Sequence, residues 1–249
     1  MTMDKMLYIA MSGAKQTMQA LSVNANNLAN AKTTGFKADL AQARSMQAFG
    51  EGAPTRVFTA TERVSQNFDS GAMLHTGRDL DMAIEGEGWF AVQSADGSEG
   101  YTRNGHFRLN NEGGLETNNG EPVMGEGGPI IIPLPVQNIE IARDGSIMIQ
   151  PEGAPVTEQE EVDRIKMVNP IVRDLEKGSD GLFRRKDGLA EGVNIEVQVN
   201  SGMIESSNVS AVSEMTDMIA LQRRFEMNLK LMKTAEEVDS SAASLLRAF

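Results

Sequence analysis

The sequence predicts an α+β protein: long N- and C-terminal α-helices pairing as a coiled coil, with a central all-β body between them. Three observations carry this. First, Leu7, Met11, Ala14, Met18, Leu21, Ala25 and Leu28 are apolar or small and alternate spacings of four and three. That is the seam of a helix that supercoils with a partner. Second, Met215, Met218, Gln222, Phe225, Leu229 and Met232 keep a similar rhythm near the other end, broken only by the polar Gln222. Third, Asx-Gly pairs recur through the middle, at 96–97, 104–105, 119–120, 144–145, 180–181 and 187–188. They separate short β-rich runs, the pattern of successive hairpins.

Taken in order, residues 4–30 form one helix with Asp4 as the cap and Gly13 the only glycine. It runs out over Asn30–Thr34, and Gly35 turns the chain. Gly50, Gly52 and Pro54 exclude a helix in the next stretch, where 55–61 has strand character. The β body contains expected strands at 81–84, 89–93, 130–132, 139–141, 147–149 and 193–199. The last alternates Val193, Ile195, Val197 and Val199 with polar residues, which predicts one buried face. Residues 151–161 read as an exposed acidic loop. Ser206–Val209 is a helix start, and nothing in 206–249 is Pro or Gly, so a helix of about 60 Å is allowed at 1.5 Å per residue. The expected organisation is a terminal helical region (1–35 and 206–249), a connector (36–75) and a β domain (76–205).

The 249 residues suit one large domain or two modest ones. There is no cysteine, which removes disulfides, thiolate nucleophiles and Cys-based metal sites. His75 and His106 are isolated in turn-like segments and have no accompanying ligand set, so no metal or cofactor is expected. No segment is long and apolar enough for membrane insertion. Residues 1–15 carry Asp4 and Lys5 and lack the layout of a cleaved secretory signal. The start itself is ambiguous between Met1 and Met3. Net charge is −12 and uneven: residues 1–38 hold four Lys against one Asp, whereas 39–203 hold 14 basic and 27 acidic side chains. An acidic body without a basic groove argues against nucleic acid as a partner.

Motifs with possible chemistry reduce to simpler readings. Asp144-Gly145 does not continue into a calcium-loop ligand series and reads as a hairpin turn. Residues 125–129 are Gly-rich, but no Lys-Ser/Thr follows, so they fail as a phosphate cradle. Asp79, Asp81, Glu85 and Glu87 read as the solvated face of a hairpin. No nucleophile, base and orienting group assemble, so no catalytic residues are expected.

One motif is left over. Residues 25–37 place Asn26, Asn27 and Asn30 at the end of an amphipathic helix, followed by Gly35 and Phe36. Asn is a poor helix-interior residue and a good side-chain-to-backbone bonder, so these three are suited to fixing the helix end. This stretch resembles the N-terminal motif of bacterial flagellar rod and hook proteins. Residues 77–84 running into 86–90, then 100–105, then 202–209, resemble further family motifs in the family's order. The resemblance covers essentially the whole chain. Within the family, the length, residues 125–130 and the residues of 215–227 resemble a proximal rod subunit, with a distal rod subunit the alternative. A secreted adhesin or effector, or an enzyme using the carboxylates of 79–87, are the classes outside it.

The resemblance implies a structural subunit exported by the flagellar type III apparatus and polymerised into the periplasm-spanning rod. Its partners would be other rod subunits, the export apparatus and further copies of itself. The packing residues would be the two seams together with Asn26, Asn27, Asn30, Gly35 and Phe36. Amphipathic ends that bury little surface alone gain order on assembly.

Overall fold

Helix α1 spans Met3–Ala29 and helix α2 spans Ala211–Arg247. Among the described residues between them lie short strands and one turn of 3-10 helix at Val172–Asp174. The fold is α+β. The computed structural model describes residues 3–47, 57–61, 65–153, 155 and 159–247. The expected strand at 55–61 is observed as Val57–Thr61; residues 55 and 56 lie outside the described ones, as do Gly50, Gly52 and Pro54.

The chain divides into two compact units. One comprises Met1–Ala31, Lys37–Asn67 and Val209–Phe249; the other comprises Lys32–Phe36 and Phe68–Asn208. In the helical unit α1 and α2 run antiparallel. Gly13 lies opposite Asn228, and Asn27 opposite Glu214, fourteen residues further along α1 and fourteen earlier along α2. Two antiparallel strand pairs complete it: Asp39–Leu40 with Ser65–Gln66, and Ala43–Gln47 with Val57–Thr61. Both helix starts differ from expectation. Helix α1 already includes Met3, which places Asp4 inside its first turn. Helix α2 begins after Ser210, whose hydroxyl accepts the Ser213 N–H at 3.5 Å. The expected start at Ser206 is overruled because that segment is extended: the Ser206 N–H bonds the Ala72 carbonyl, and the Asn208 side chain bonds the Asp69 carbonyl.

In the β unit a five-stranded antiparallel sheet has the order Met167–Val168, Trp89–Gln93, Glu99–Thr102, Phe183–Arg185, Leu175–Lys177. Its central run Trp-Phe-Ala-Val is buried on both faces, so it is continuously apolar rather than alternating. Phe90 and Val92 enter one core with Phe107, Leu115, Ile147 and Ile149. Trp89 and Ala91 enter the other with Tyr101, Leu175 and Phe183. Phe68, Trp89 and Phe183 stack with centroids 4.7 to 5.9 Å apart. A three-stranded sheet, Val136–Ile141, Ser146–Pro151 and Glu160–Arg164, closes the first core.

Five of the six Asx-Gly pairs are turns whose glycine has positive φ. The sixth, Asn104-Gly105, is a close backbone approach: a Cβ on Gly105 would lie 1.7 Å from the Met82 carbonyl oxygen. Two expected strands are corrected. Within 130–132 Ile131 makes one isolated bridge, to Gly114, rather than a strand. The 193–199 segment turns before it becomes strand, because the Asn194 side chain accepts the Glu196 N–H at 2.9 Å. Only Gln198–Ser201 pairs, with Met82–Glu85. Val197 and Val199 are therefore buried, while Val193 and Ile195 are exposed.

Candidate functional site

The two helices carry the expected seams, and the structure splits each in the same way. On α1, Ala14 is buried and Leu21 and Leu28 are half-buried, whereas Leu7, Met11, Met18 and Ala25 are exposed. The inward stripe is completed by the neighbours one residue earlier: Ala10, Thr17 and Asn24. On α2, Met218, Phe225 and Met232 are half-buried, and Met215, Gln222 and Leu229 are exposed. Again the inward stripe takes the preceding residues, Glu214, Leu221 and Asn228. One residue is about 100° around a helix, so alternate seam positions lie on a second face. That face is mainly apolar: Met18 is 64% and Met215 53% exposed.

The inward stripe is small or polar where the helices meet. Gly13 leaves room for the Asn228 side chain, which would stand 3.2 Å from a Cβ there. At the end of α1, Asn27 is 2% exposed. Its amide NH2 donates to the Asp39 carbonyl and its carbonyl oxygen accepts the Asp39 N–H, both at 2.9 Å. Asn27 thus acts as a strand residue toward Asp39 while its own backbone stays helical. It also donates to Glu214 at 3.5 Å. Burial pushes the Glu214 carboxyl upward; the Asn27 bond opposes this and the Asp217 charge adds to it. Asn30 donates to the Asn26 carbonyl at 2.9 Å, closing the helix end.

The rest of that motif belongs to the β unit. Gly35 has φ of +67° and donates its N–H to the Glu205 carbonyl at 2.8 Å. A Cβ there would lie 2.3 Å from the Arg103 carbonyl carbon, so glycine is required on two grounds. Phe36 lies under the Lys177 ammonium, 4.2 Å from its ring centroid. Beside Gly35 is a pair the sequence reading did not single out. Arg103 donates to Glu205 at 3.1 Å, with side chains 6% and 1% exposed. The other Glu205 oxygen accepts the Gly71 N–H at 2.9 Å. Arg103 also donates to the Gly86 carbonyl at 2.7 Å and lies over Trp89. Burial lowers the Arg103 pKa, and the Glu205 charge opposes that shift. Three of the dispersed motifs, those around residues 35, 103 and 205, meet at this one point.

The carboxylates of 79–87 do not form one solvated face. Asp79, Glu85 and Glu87 are exposed, but Asp81 is buried, with His106 Nδ1 2.7 Å from its Oδ1. Among the described residues no group of three or more His, Cys, Asp or Glu side chains could hold a metal ion. No described helix is long and apolar enough to cross a membrane.

Comparison with known proteins agrees with this geometry. Residues 7–37 match the family "Flagella basal body rod protein", 83–149 the "Flagellar hook protein FlgE/F/G D1 domain", and 200–245 the "Flagellar basal body rod FlgEFG protein C-terminal". The flagellar basal-body rod protein FlgF of Escherichia coli is 40% identical over 98% of this chain and 99% of its own length. The chain belongs to the flagellar rod and hook protein family. The FlgF of Caulobacter vibrioides is 36% identical over 98% of both chains, and the FlgG of Bacillus subtilis 32% over 98% of this chain and all of its own. The first and last family matches fall largely on α1 and α2, and the D1 match falls within the β unit. In this rod protein family member the Gly35–Arg103–Glu205 junction draws one residue from each of the three family matches.

Proposed function

We propose that the chain is a structural subunit of the flagellar basal-body rod, of the FlgF type, that transmits torque toward the hook. The observation that carries this is the second helix face. Met11, Met18, Met215 and Leu229 are exposed on helices already packed against each other. Soluble monomers rarely leave contiguous apolar stripes uncovered, so the face calls for neighbouring subunits. On this reading α1 and α2 pair as a coiled coil within a subunit through their small inward stripe. The outer seam residues, with Asn26, Asn27, Asn30, Gly35 and Phe36 fixing the helix exit, serve packing between subunits. The partners are other copies and the rod subunits below and above. The route out of the cell is the flagellar type III apparatus. Contacts that do not close on themselves build a helical rod. A distal, FlgG-type position is the second reading, favoured by the full-length match to FlgG relatives.

The test is mass spectrometry of purified hook–basal bodies from cells with and without the gene, and from cells carrying Met18→Asp. The chain should be present in the rod fraction, its deletion should remove distal rod and hook, and Met18→Asp should be folded but unincorporated. Intact basal bodies without the gene would overturn the proposal.

A further inference from the structure

Helix α1 carries a single charge through most of its length. From residue 6 to 31, Lys15 is the only charged side chain. It is exposed, and one turn away on either side stand Met11 and Met18, 53% and 64% exposed. Ser12 and Gln19, the other positions within a turn of it, bear no charge. The ammonium therefore sits in the middle of the apolar outer face with no counter-charge on its own helix. The exposed lysines of α2 differ: Lys230 has Glu226, and Lys233 has Glu237, four residues away. Whatever covers Met11 and Met18 also takes Lys15 out of water, and a desolvated charge is tolerated only when it is paired.

The complement lies between α1 and α2. A cleft of about 430 Å³ is lined by Thr17 and Asn24 of α1, by Asp39, and by Glu214, Asp217 and Arg224 of α2. Three carboxylates meet one guanidinium there. Arg224 is ten residues beyond Glu214, about 15 Å along the helix, so the Glu214 end is the acidic one. Glu214 Oε1 accepts the Asn27 amide at 3.5 Å, while Oε2 is buried with no hydrogen-bond partner among the described residues. Burial drives this carboxyl upward and the charge of Asp217, exposed one turn on, pushes the same way; no cation offsets them. A cation at this end would satisfy the buried oxygen and relieve the repulsion between the two carboxylates.

Lys15 cannot supply that cation within its own chain. It is twelve residues from Asn27, the residue that bonds Glu214, and so about 18 Å away along α1. We propose that Lys15 of one copy enters the Glu214–Asp217 end of the cleft on the next, seating the Met11–Met18 face of α1 against a neighbouring helix pair. The occupant follows from charge: one face offers a lone cation set among apolar residues, and the other offers two carboxylates without a cation. Because the Lys15 face and the cleft are different surfaces, the contact is heterologous and can repeat from copy to copy along a rod. The inference rests on the rod reading and names what the outer face of α1 touches.

A carbodiimide joins a lysine amine to a carboxylate as an amide only where the two are in contact, which reads this pair directly. Hook–basal bodies carrying the wild-type chain would be treated, digested and searched by mass spectrometry for a peptide linking residue 15 to 214 or 217. The link should form in basal bodies and be absent from the dilute free chain. K15R keeps the charge without the reactive amine, so it should be incorporated without the link. K15E and E214Q/D217K should each lower incorporation at least about tenfold without lowering the melting temperature of the free chain, and K15E/E214Q/D217K should restore it. Basal bodies that hold the wild-type chain without the link, a link that forms equally in the dilute free chain, or K15E incorporated at the wild-type level would overturn the contact and leave the rod reading standing. A link from Lys15 to a different rod protein would do the same. Absence of the wild-type chain from basal bodies would sink the rod reading and the contact with it.

Discussion

Glu205→Gln is the most informative single substitution in the β unit. The Glu205 carboxylate is 1% exposed, and among its partners are Arg103 at 3.1 Å and the Gly71 N–H at 2.9 Å. A glutamine has one acceptor oxygen, so one donor would face an NH2 group, and the Arg103 guanidinium would lose its counter-charge inside the fold. Removing one partner of a buried pair costs about 3–5 kcal/mol. With a urea m-value of about 2 kcal/mol/M, the unfolding midpoint should fall by about 2 M. The assay is built in: Trp89 is the only tryptophan, is buried, and lies 5.5 Å beneath the Arg103 guanidinium. Its fluorescence reports this unit alone. The double variant Arg103→Met/Glu205→Leu should recover part of the loss, since it removes the unpaired buried charge while taking these partners from the Gly71 N–H and the Gly86 carbonyl. A midpoint shift below about 0.5 M for Glu205→Gln, or a double variant no better than the single, would refute the reasoning.

Three further outcomes are expected. Gly105→Ala should prevent the β unit from folding, because a Cβ 1.7 Å from the Met82 oxygen has no room, whereas Gly120→Ala meets nothing within 4 Å and should cost only the αL penalty of about 1–2 kcal/mol; circular dichroism melts of the pair decide it. Asn27→Ala should destabilise the helical unit by about 1–3 kcal/mol through loss of two bonds to Asp39, and Asn27→Asp by more, because a carboxylate would face the Asp39 carbonyl and Glu214; hydrogen exchange along α1 measures both. The bond from Arg184 holds Asp180 down at about 2, against 3.8 ordinarily. A depressed folded pKa gives stability that is complete above about pH 4 and lost as pH falls through about 2, small here because both side chains are partly exposed. Carboxyl NMR should find that midpoint, with Arg184→Gln moving it back up; an Asp180 midpoint near 3.8 in the unaltered chain would contradict it.

Where local chemistry dictates local geometry, the β unit was legible in the sequence. Asp-Gly and Asn-Gly pairs demand positive φ, and five of six supplied it. The exceptions show what competes. Asn104-Gly105 is spelled like a turn, yet its glycine serves an approach to Met82, a residue far from it along the chain. Val193–Val199 alternates like a strand, but the Asn194 side-chain oxygen accepts the Glu196 N–H and turns the backbone there. Arg103 and Glu205 could not be paired from spacing, because 102 residues separate them. The available clue was that each lies in a stretch with a family likeness, without a visible reason for its charge.

The helices make the same point about faces. A four-three rhythm fixes a stripe on a helix but does not say whether one partner or two will cover it. On α1 the seam Met11–Ala14–Met18–Leu21–Ala25–Leu28 has an equally regular neighbour, Ala10–Ala14–Thr17–Leu21–Asn24–Leu28, which shares Ala14, Leu21 and Leu28 and is displaced by one residue at the other three positions. Hydrophobicity alone favours the first, which holds the larger apolar residues. Packing within the chain favours the second, because small and polar side chains such as Gly13, Ala14 and Thr17 let another helix approach closely, and Asn27 gains two backbone bonds by turning inward. A chain folding only for itself would place Met11 and Met18 inside. One that must still associate keeps its tight, small-residue contact for α2 and reserves the methionines, whose flexible side chains conform to irregular surfaces, for what comes next. Exchanging the two stripes, with Thr17→Met and Met18→Thr, should therefore weaken incorporation into basal bodies more than it weakens the fold; equal loss of both would show that the outer stripe has no partner of its own.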